Sequence, residues 1–406
     1  MDNPYHLAKA ELPHHRLNAG IDLRAWLLGE ARHFHDFGRV LEGFCERALA
    51  AGVPLDRAAA TVRTLHAELA GAARIWEPGK AVEARSFDYT PHSEAAYKNS
   101  PIAHAHAKRE WVELRLEETP DDAFGIVPDL KAAGFTHYFC VPVVFMPGTE
   151  NSITFATRKP EGFSRHDVIF LRFVVPALAV IQEIYALNRM MGEVLKTYVG
   201  SEPQTRILAG QVHRGEVTRI ASAILFCDMR GFTAITADLT PEASVALLNR
   251  YYDCVLPPIA KAGGEILKLI GDGVLAIFRV EEEDEIVACS HAIEAARAIL
   301  ASASRYGSGN GEEPDFELGI GLHFGQAAYG NVGAGDRLDF TIIGRDVNKA
   351  SRIAALCGPL ERHVLVSEEF AQRLGQSDFR LVRRMALRGL PGLHGLLELI
   401  EDVPPA

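Results

Sequence analysis

The chain has 406 residues, long enough for two domains and a connector. A hydrophobic fraction of 48%, a charged fraction of 23% and a net charge of −11 are ordinary for a globular protein and argue against a general nucleic-acid or anionic-membrane binder. The opening MDNPYHLAKAELPHH lacks a basic-then-apolar leader pattern, and no uninterrupted apolar run reaches the roughly 18 residues of a membrane span; the nearest, 173–181, contains Pro176.

Residues 1–20 read as a loose terminus. From Ile21 to about Leu69 the text is helical, with Trp26, Phe34, Phe37, Leu41, Phe44 and Leu49 in three-and-four spacing, broken at Gly52-Val53-Pro54. Residues 72–160 read as strands and loops. Within them 136–144 (THYFCVPVV) and 152–157 (SITFAT) are expected to be neighbouring strands of a mixed sheet. Helices around a small sheet with a GFxxYxxVPV-like strand resemble the GAF-type sensory domain, so 1–163 is expected to be an α/β regulatory domain that binds a small-molecule effector. His104 with His106, on one strand face, and His33 with His35 are expected to be polar surface rather than metal ligands. The six cysteines (Cys45, Cys140, Cys227, Cys254, Cys289 and Cys357) form no CxxC pair, which argues against a disulfide framework or zinc site and fits a reducing cytoplasm.

Residues 164–200 read as a connector. Ser164 is a helix N-cap with Asp167 three residues on. Phe170, Phe173, Ala177, Val180, Ile184, Leu187, Met191, Val194 and Tyr198 form a heptad seam, which predicts a two-helix coiled coil and hence a homodimer. Pro176 inside the seam is expected to kink it. A polar stretch, 200–218, leads into the domain expected at 201–406, and after it strand and helix alternate regularly. The run 221–227 is a strand. Thr240 caps a helix with Pro241 first, ended by Gly263-Gly264. Two apolar runs joined by Gly271-Asp272-Gly273 make a β-hairpin. Glu281 to Glu285 open another helix as a solvated acid run, and 307–314 is a loose loop. Strands are expected at 316–323, 326–332 and 339–343, and a helix after Gly344 carries Asn348 and Arg352. The fold class is α+β.

Asp228 and Asp272 each end an apolar strand beside glycine. If those strands are neighbours, the two carboxylates repel unless a cation lies between them, and Mg²⁺ is commonly held by one or two carboxylates plus substrate phosphates. The run Arg230-Gly231-Phe232-Thr233 can turn backbone N–H groups toward a polyphosphate. Asn348 and Arg352, at i and i+4, share a helix face and can steady charge on a reacting phosphate. No GxxxxGK[ST] loop is present in the sequence.

FCDMRGFT (226–233), GGEILKLIGDGVLAIF (263–278), GIGLHFG (319–325) and TIIGRDVNKASR (341–352) closely resemble class III nucleotidyl cyclases, in that family's order and spacing. The resemblance implies a ferredoxin-like βαββαβ core in 201–406 and a head-to-tail homodimer with active sites at its interface. Asp228, Asp272 and the backbone of Met229 match metal ligands, so two Mg²⁺ or Mn²⁺ ions per site are expected. Phe232 and Thr233 match the phosphate loop, and Lys268 the purine reader. Asn348 and Arg352 match the pair that orients the ribose and stabilises the transition state; Arg388 stands where a basic residue often meets the terminal phosphate. Where many members have Asp as second purine reader, this chain has Thr341, whose hydroxyl can still serve adenine. Lys268 with Thr341 is similar to the adenylate-forming subgroup that includes bicarbonate-responsive members, whereas guanylate cyclases usually carry Glu in the Lys268 position. The expected activity is conversion of ATP to cyclic AMP and pyrophosphate. The alternatives are a guanylate or dual-specificity cyclase and a silent nucleotide-binding module.

Overall fold

The computed structural model describes residues 4–63, 69–146, 148–280, 284–306, 316–335 and 337–400. It divides into two compact units, Met1–Val194 and Leu195–Ala406.

The first unit opens with α1 (Pro4–Glu11), α2 (His14–Gly29) and α3 (Phe37–Ala50), so the segment expected to be a loose terminus is helical from residue 4. Ala8, Leu12, Leu23 and Leu27 are buried, and this burial orders a stretch whose local pattern is weak. The helical expectation for 21–69 fails after Ala50, where β1 (Arg57–Arg63) and β2 (Leu69–Trp76) follow. β1 is a central strand, paired on both sides, with Ala58 and Ala60 buried on one face and Ala59 on the other. Small side chains fit that two-sided burial, and tertiary context overrides the helix propensity of alanine. The unit continues with β3 (Glu83–Asp88), α4 (Pro91–Lys98), α5 (Pro101–Lys108), β4 (Val112–Arg115), α6 (Val127–Ala132), β5 (His137–Val144) and β6 (Glu150–Thr157). β5 and β6 are neighbours as expected, but the sheet, in order β3-β2-β1-β6-β5-β4, is wholly antiparallel rather than mixed.

His104 and His106 lie on α5, not on a strand, and two residues apart on a helix they face different ways. His106 is a satisfied core residue: its ring nitrogens stand 3.0 Å from the Tyr97 hydroxyl and 2.7 Å from the Asn151 carbonyl. His104 packs edge-on to Phe124, and Arg32 Nε donates to His33 Nε2 at 3.0 Å. All six cysteines are buried and unbridged.

The helix α7 (Arg165–Val199) begins as expected, with Ser164 N and Oγ donating to Asp167 and the Asp167 N–H donating back to Ser164 Oγ. Its apolar seam divides. Phe170, Phe173 and Ala177 are buried in the first unit's own core, whereas Val180, Ile184, Met191 and Tyr198 are exposed. Pro176 lies within the helix, and Arg24 Nη1 donates at 3.0 Å to the Phe173 carbonyl, next to the Arg172 carbonyl that a proline cannot serve. By length and composition α7 could cross a bilayer, but 56% of its most apolar window is buried inside the structure.

The second unit contains α8 (Ser201–Leu208), β7 (Val217–Met229), α9 (Phe232–Thr236), α10 (Pro241–Lys261), β8 (Glu265–Ile270), β9 (Gly273–Arg279), α11 (Glu285–Tyr306), β10 (Leu318–Ala334), β11 (Arg337–Ile343), α12 (Arg345–Ala355), β12 (Val364–Ser367), α13 (Glu368–Leu374), β13 (Phe379–Ala386) and β14 (Leu393–Leu399). The sheet runs β13-β14-β12-β10-β7-β9-β8, with β11 paired to β10. β7-α10-β8-β9-α11-β10 is thus the expected βαββαβ core, its four strands ordered β10-β7-β9-β8. Helices α10 and α11 cover one face and α12 the other. The two strands expected at 316–323 and 326–332 are one 17-residue strand, β10. Its glycines permit close packing rather than a turn: a Cβ on Gly321 would collide with the α12 backbone at Ala350 and Ala354, and one on Gly325 with the Asp346 carboxylate. The expected loop at 307–314 and the acids Glu281, Glu282 and Glu283 lie outside the described residues. α11 also has the length and composition of a span, and it packs on the sheet.

Candidate active site

Antiparallel pairing of β7 with β9 sets Asp228 opposite Gly273, so Asp272, one residue earlier at the hairpin tip, stands beside it. Gly271 takes φ 61° at that tip. Two tyrosines of α10 anchor this corner: Tyr251 donates to the Cys227 carbonyl at 3.2 Å, and Tyr252 donates to the Gly271 carbonyl. In the sequence Tyr252 reads only as part of an apolar helix face with Val245, Leu248, Val255 and Ile259, and its neighbour Tyr251 was the available signal that hydroxyls would reach past the core. Burial and the neighbouring Asp272 carboxylate push Asp228 from 3.8 up to about 6, although the Met229 N–H donates to it. Metal-free, this corner is two carboxylates in mutual repulsion. Among the described residues no group of three or more His, Cys, Asp or Glu side chains converges as a metal centre. Two carboxylates with oxygens from main chain and substrate make the kind of incomplete donor set that suits a divalent cation brought with a polyphosphate.

Gly231, at φ 67°, turns the chain out of β7 into α9. Phe232 packs against the core and Thr233 is exposed, and the first N–H groups of such a turn have no partner within it.

Lys268, on β8, is ion-paired with Asp339 on β11. Thr341 is buried, 8% exposed, and among the described residues no hydrogen bond joins it to Lys268. Sequence reasoning placed Asp339 only in a strand. Its signal was position, two residues before Thr341 and so on the same side of the strand.

Asn348 and Arg352 lie on the exposed side of α12, whose opposite side buries Val347, Ala350, Ile353 and Ala354. The helix is held by polar anchors. Asp346 accepts from the Gln326 N–H at 2.8 Å, Lys349 pairs with Glu369 at 2.6 Å, and the buried His323 contacts Ser367 Oγ at 2.8 Å through Nδ1. His323 and Gln326 hold the Asp346 carboxyl below its usual range, the side-chain interaction with His323 being the larger cause. Arg388 is exposed between β13 and β14, at the opposite edge of the sheet from β8. Among the described residues no hydrogen bond or ion pair links Asn348, Arg352 or Arg388 to the carboxylates. One chain therefore offers a carboxylate corner, a Lys268–Asp339 pair and an exposed amide–guanidinium pair as separate surfaces.

The family model described as Adenylate and Guanylate cyclase catalytic domain matches residues 217–395. The chain is 34% identical over 151 residues to the adenylate cyclase of Anabaena cylindrica, covering 37% of this chain and 30% of that one. It is likewise 34% identical over 148 residues to adenylate cyclase 1 of Rhizobium meliloti, covering 35% and 22%. The chain thus spans less than a third of the length of these curated relatives. Among solved structures it is similar to a bacterial light-regulated adenylyl cyclase at 24% identity, covering 56% of this chain and 65% of that one with a TM-score of 0.48. The adenylyl cyclase CyaB from P. aeruginosa is 27% identical, covering 46% and 97% with a TM-score of 0.39.

Proposed function

We propose that this chain, whose residues 217–395 are a class III adenylate and guanylate cyclase catalytic domain, converts ATP to 3′,5′-cyclic AMP and pyrophosphate at sites shared by two copies of itself. The observation that carries the reading is the repelling Asp228–Asp272 pair at the end of β7 and β9. Asp228, Asp272 and the main chain of Met229 would hold divalent metal, Mg²⁺ or Mn²⁺ and two ions per site, which when bound lowers the pKa of the attacking hydroxyl and neutralises charge on the leaving phosphates.

The chain's own residues do the rest. The backbone at Phe232 and Thr233 cradles the phosphates with N–H donors. Lys268 donates to the purine. Asn348 of a second copy orients the ribose, and Arg352 of that copy balances charge on the α-phosphate; both are exposed on α12 and free to enter a neighbouring site. The ribose 3′-oxygen attacks the α-phosphorus, and the bond from that phosphorus to the bridging oxygen breaks. Pyrophosphate leaves with the electron pair, and the hydroxyl proton passes to solvent. Arg388 is assigned to the terminal phosphate.

The first unit is read as a GAF-like sensor for a small molecule. Its support is the six-stranded antiparallel sheet flanked by helices. The exposed half of the α7 seam, from Val180 to Tyr198, is read as the coiled coil that carries its signal and joins two copies.

The test offers the purified full chain ATP or GTP separately, with Mg²⁺ and then with Mn²⁺. Cyclic AMP from ATP, with little cyclic GMP from GTP, is expected. No cyclic nucleotide under any of the four conditions overturns the proposal.

A further inference from the structure

We infer that Lys349 and Glu369 are positioning residues for the reaction: their ion pair sets the rotation of α12 about its own axis, and with it the aim of Asn348 and Arg352. The inference rests on the cyclase reading above and names what holds that amide–guanidinium pair in place.

Apolar packing fixes the distance of α12 from the sheet more firmly than its rotation. Ala350 and Ala354 lie against glycines of β10: a Cβ on Gly321 would collide with the backbone of both, and one on Gly319 with Ala354 and Cys357. So smooth a contact brings the helix close and gives it little ridge to lock against. Val347 and Ile353 flank it with apolar surface, whose attraction has no direction. Two polar pins supply the direction. In the first turn Asp346 accepts from the Gln326 N–H of β10 at 2.8 Å. Three residues on, Lys349 donates to Glu369 of α13 at 2.6 Å. Lys349 is only 6% exposed, the one charged side chain among the buried residues of α12. His323 lies between the pins, with Nε2 3.6 Å from Asp346 and Nδ1 3.8 Å from Glu369. Glu369 is itself held. Ser367 Oγ accepts from the Phe370 N–H at 3.2 Å and caps α13, and Arg373 donates to the Glu369 carbonyl at 3.1 Å while pairing with Glu285 of α11 at 3.0 Å. Burial works to raise the Glu369 carboxyl, but the Lys349 ammonium and other partners outweigh it and hold it below its usual range.

A buried lysine is a poor choice if stability alone is at stake. A methionine would fill the same space, and buried ion pairs can often be replaced by neutral groups with no loss of stability. What the pair adds is orientation. Asn348 is next to Lys349 on the chain and Arg352 is three residues on, both on the exposed side of the helix. With side chains reaching about 6 Å from the axis, a roll of about 10° moves their ends by about 1 Å. A misplacement of that size costs up to about a hundredfold in rate.

The test compares Lys349→Met with the double variant Lys349→Met, Glu369→Gln in the full chain, by thermal melting and by kcat and KM for ATP. Lys349→Met strands the Glu369 carboxylate and should lower both the melting temperature and kcat. The double variant removes both charges. It should melt no more than about 3 °C below wild type, while kcat stays at least about tenfold down and KM for ATP changes less than about threefold. A pair that only supported the fold would return turnover together with stability. Recovery of kcat in the double variant, a melting temperature more than about 3 °C below wild type, or a loss carried by KM alone overturns the inference. If the wild-type chain forms no cyclic nucleotide, the cyclase proposal fails, and hydrogen exchange over 345–355 decides whether the pair pins α12. Faster exchange of that segment in the double variant, with β7 and β10 unchanged, supports the pin. Unchanged exchange there refutes it.

Discussion

Neutralising Asp272 should make the metal-free protein more stable while removing its response to metal. Asp228 is held at about 6 instead of 3.8, with burial the larger cause and Asp272 the next. Converted directly, that gap is an upper bound of about 3 kcal/mol at neutral pH. The site is half-exposed and solvent screens it, so the share removed by Asp272→Asn is about 1 kcal/mol. For a unit of this size that corresponds to a rise of roughly 2–4 °C in melting temperature at pH 7.5 in EDTA. The sign in pH follows from the raised value. The ionisation penalty is absent below the ordinary 3.8 and complete above about 6, so the metal-free wild type loses stability as pH rises through that window. Asp272→Asn should lose less. Mn²⁺ at a hundredfold excess over its dissociation constant adds about 2.7 kcal/mol to the wild type, or roughly 5–10 °C, and should add little to the variant. Thermal melts of both chains, with EDTA and with Mn²⁺, decide the matter. A variant that melts no higher than wild type in EDTA, or that keeps the full metal shift, refutes the reasoning.

Asp272→Ala and Arg352→Ala should each abolish product formation, and an equal mixture of the two inactive chains should recover about a quarter of wild-type rate, since half the dimers then hold one intact site of two; no recovery on mixing would place the carboxylates and the α12 pair in one subunit. Ile184→Glu with Met191→Glu puts two charges on the exposed seam of α7 and should convert dimer to monomer by sedimentation while leaving the far-ultraviolet circular dichroism unchanged, at a cost of about 1–2 kcal/mol of association per site. His323→Ala removes a buried ring that contacts Ser367 and lies 3.6 Å from Asp346 and 3.8 Å from Glu369. It should lower urea stability by about 2–3 kcal/mol and reduce turnover by loosening α12, with the metal-induced melting shift retained.

The carboxylate corner was legible because its determinants are local. Gly-Asp-Gly between two apolar runs forces a hairpin, and a strand ending in Asp228 flush with that hairpin needs only one correct pairing to bring two carboxylates together. Thr240 with Pro241 likewise announced α10 from a few adjacent residues, and the Thr240 hydroxyl accepts from the Ala243 N–H at 3.2 Å. What escaped were facts of the third dimension. Ala58, Ala59 and Ala60 suggest helix until two neighbouring strands bury them from both sides. The seam residues Phe170, Phe173 and Ala177 have the same spacing as Val180, Ile184 and Met191, and only packing separates a core helix from an exposed stripe. Gly325 looks like a turn and is instead the gap into which Asp346 fits. Asp339 could not be paired with Lys268 by reading along the chain, because three strands separate β8 from β11 in the sheet.

Side-chain contacts give α8 a direct mechanical hold on β8 and the β10–β11 pair. Arg279 of β9 lies between Glu202 of α8 at 3.3 Å and Glu265 of β8 at 2.9 Å, and its guanidinium stacks 4.8 Å over the Tyr329 ring. Arg206 of α8 pairs with Glu202 at 2.8 Å and stands 5.2 Å over the other partner of the network, again Tyr329. Tyr329 in turn fixes Glu265, three residues before Lys268, and Phe340, next to Asp339. Four charges and two aromatic rings therefore tie one short helix to the strands that carry Lys268 and Asp339. Single exposed ion pairs are weak, but a connected network that is partly buried acts as a unit, because moving one member leaves the others unpaired. A displacement of α8 by an ångström would reach Lys268 and Asp339 through packed groups, whereas the carboxylate corner is anchored separately by Tyr251 and Tyr252 of α10. A movement of α8 would thus act first on the Lys268–Asp339 pair and leave the Asp228–Asp272 pair in place.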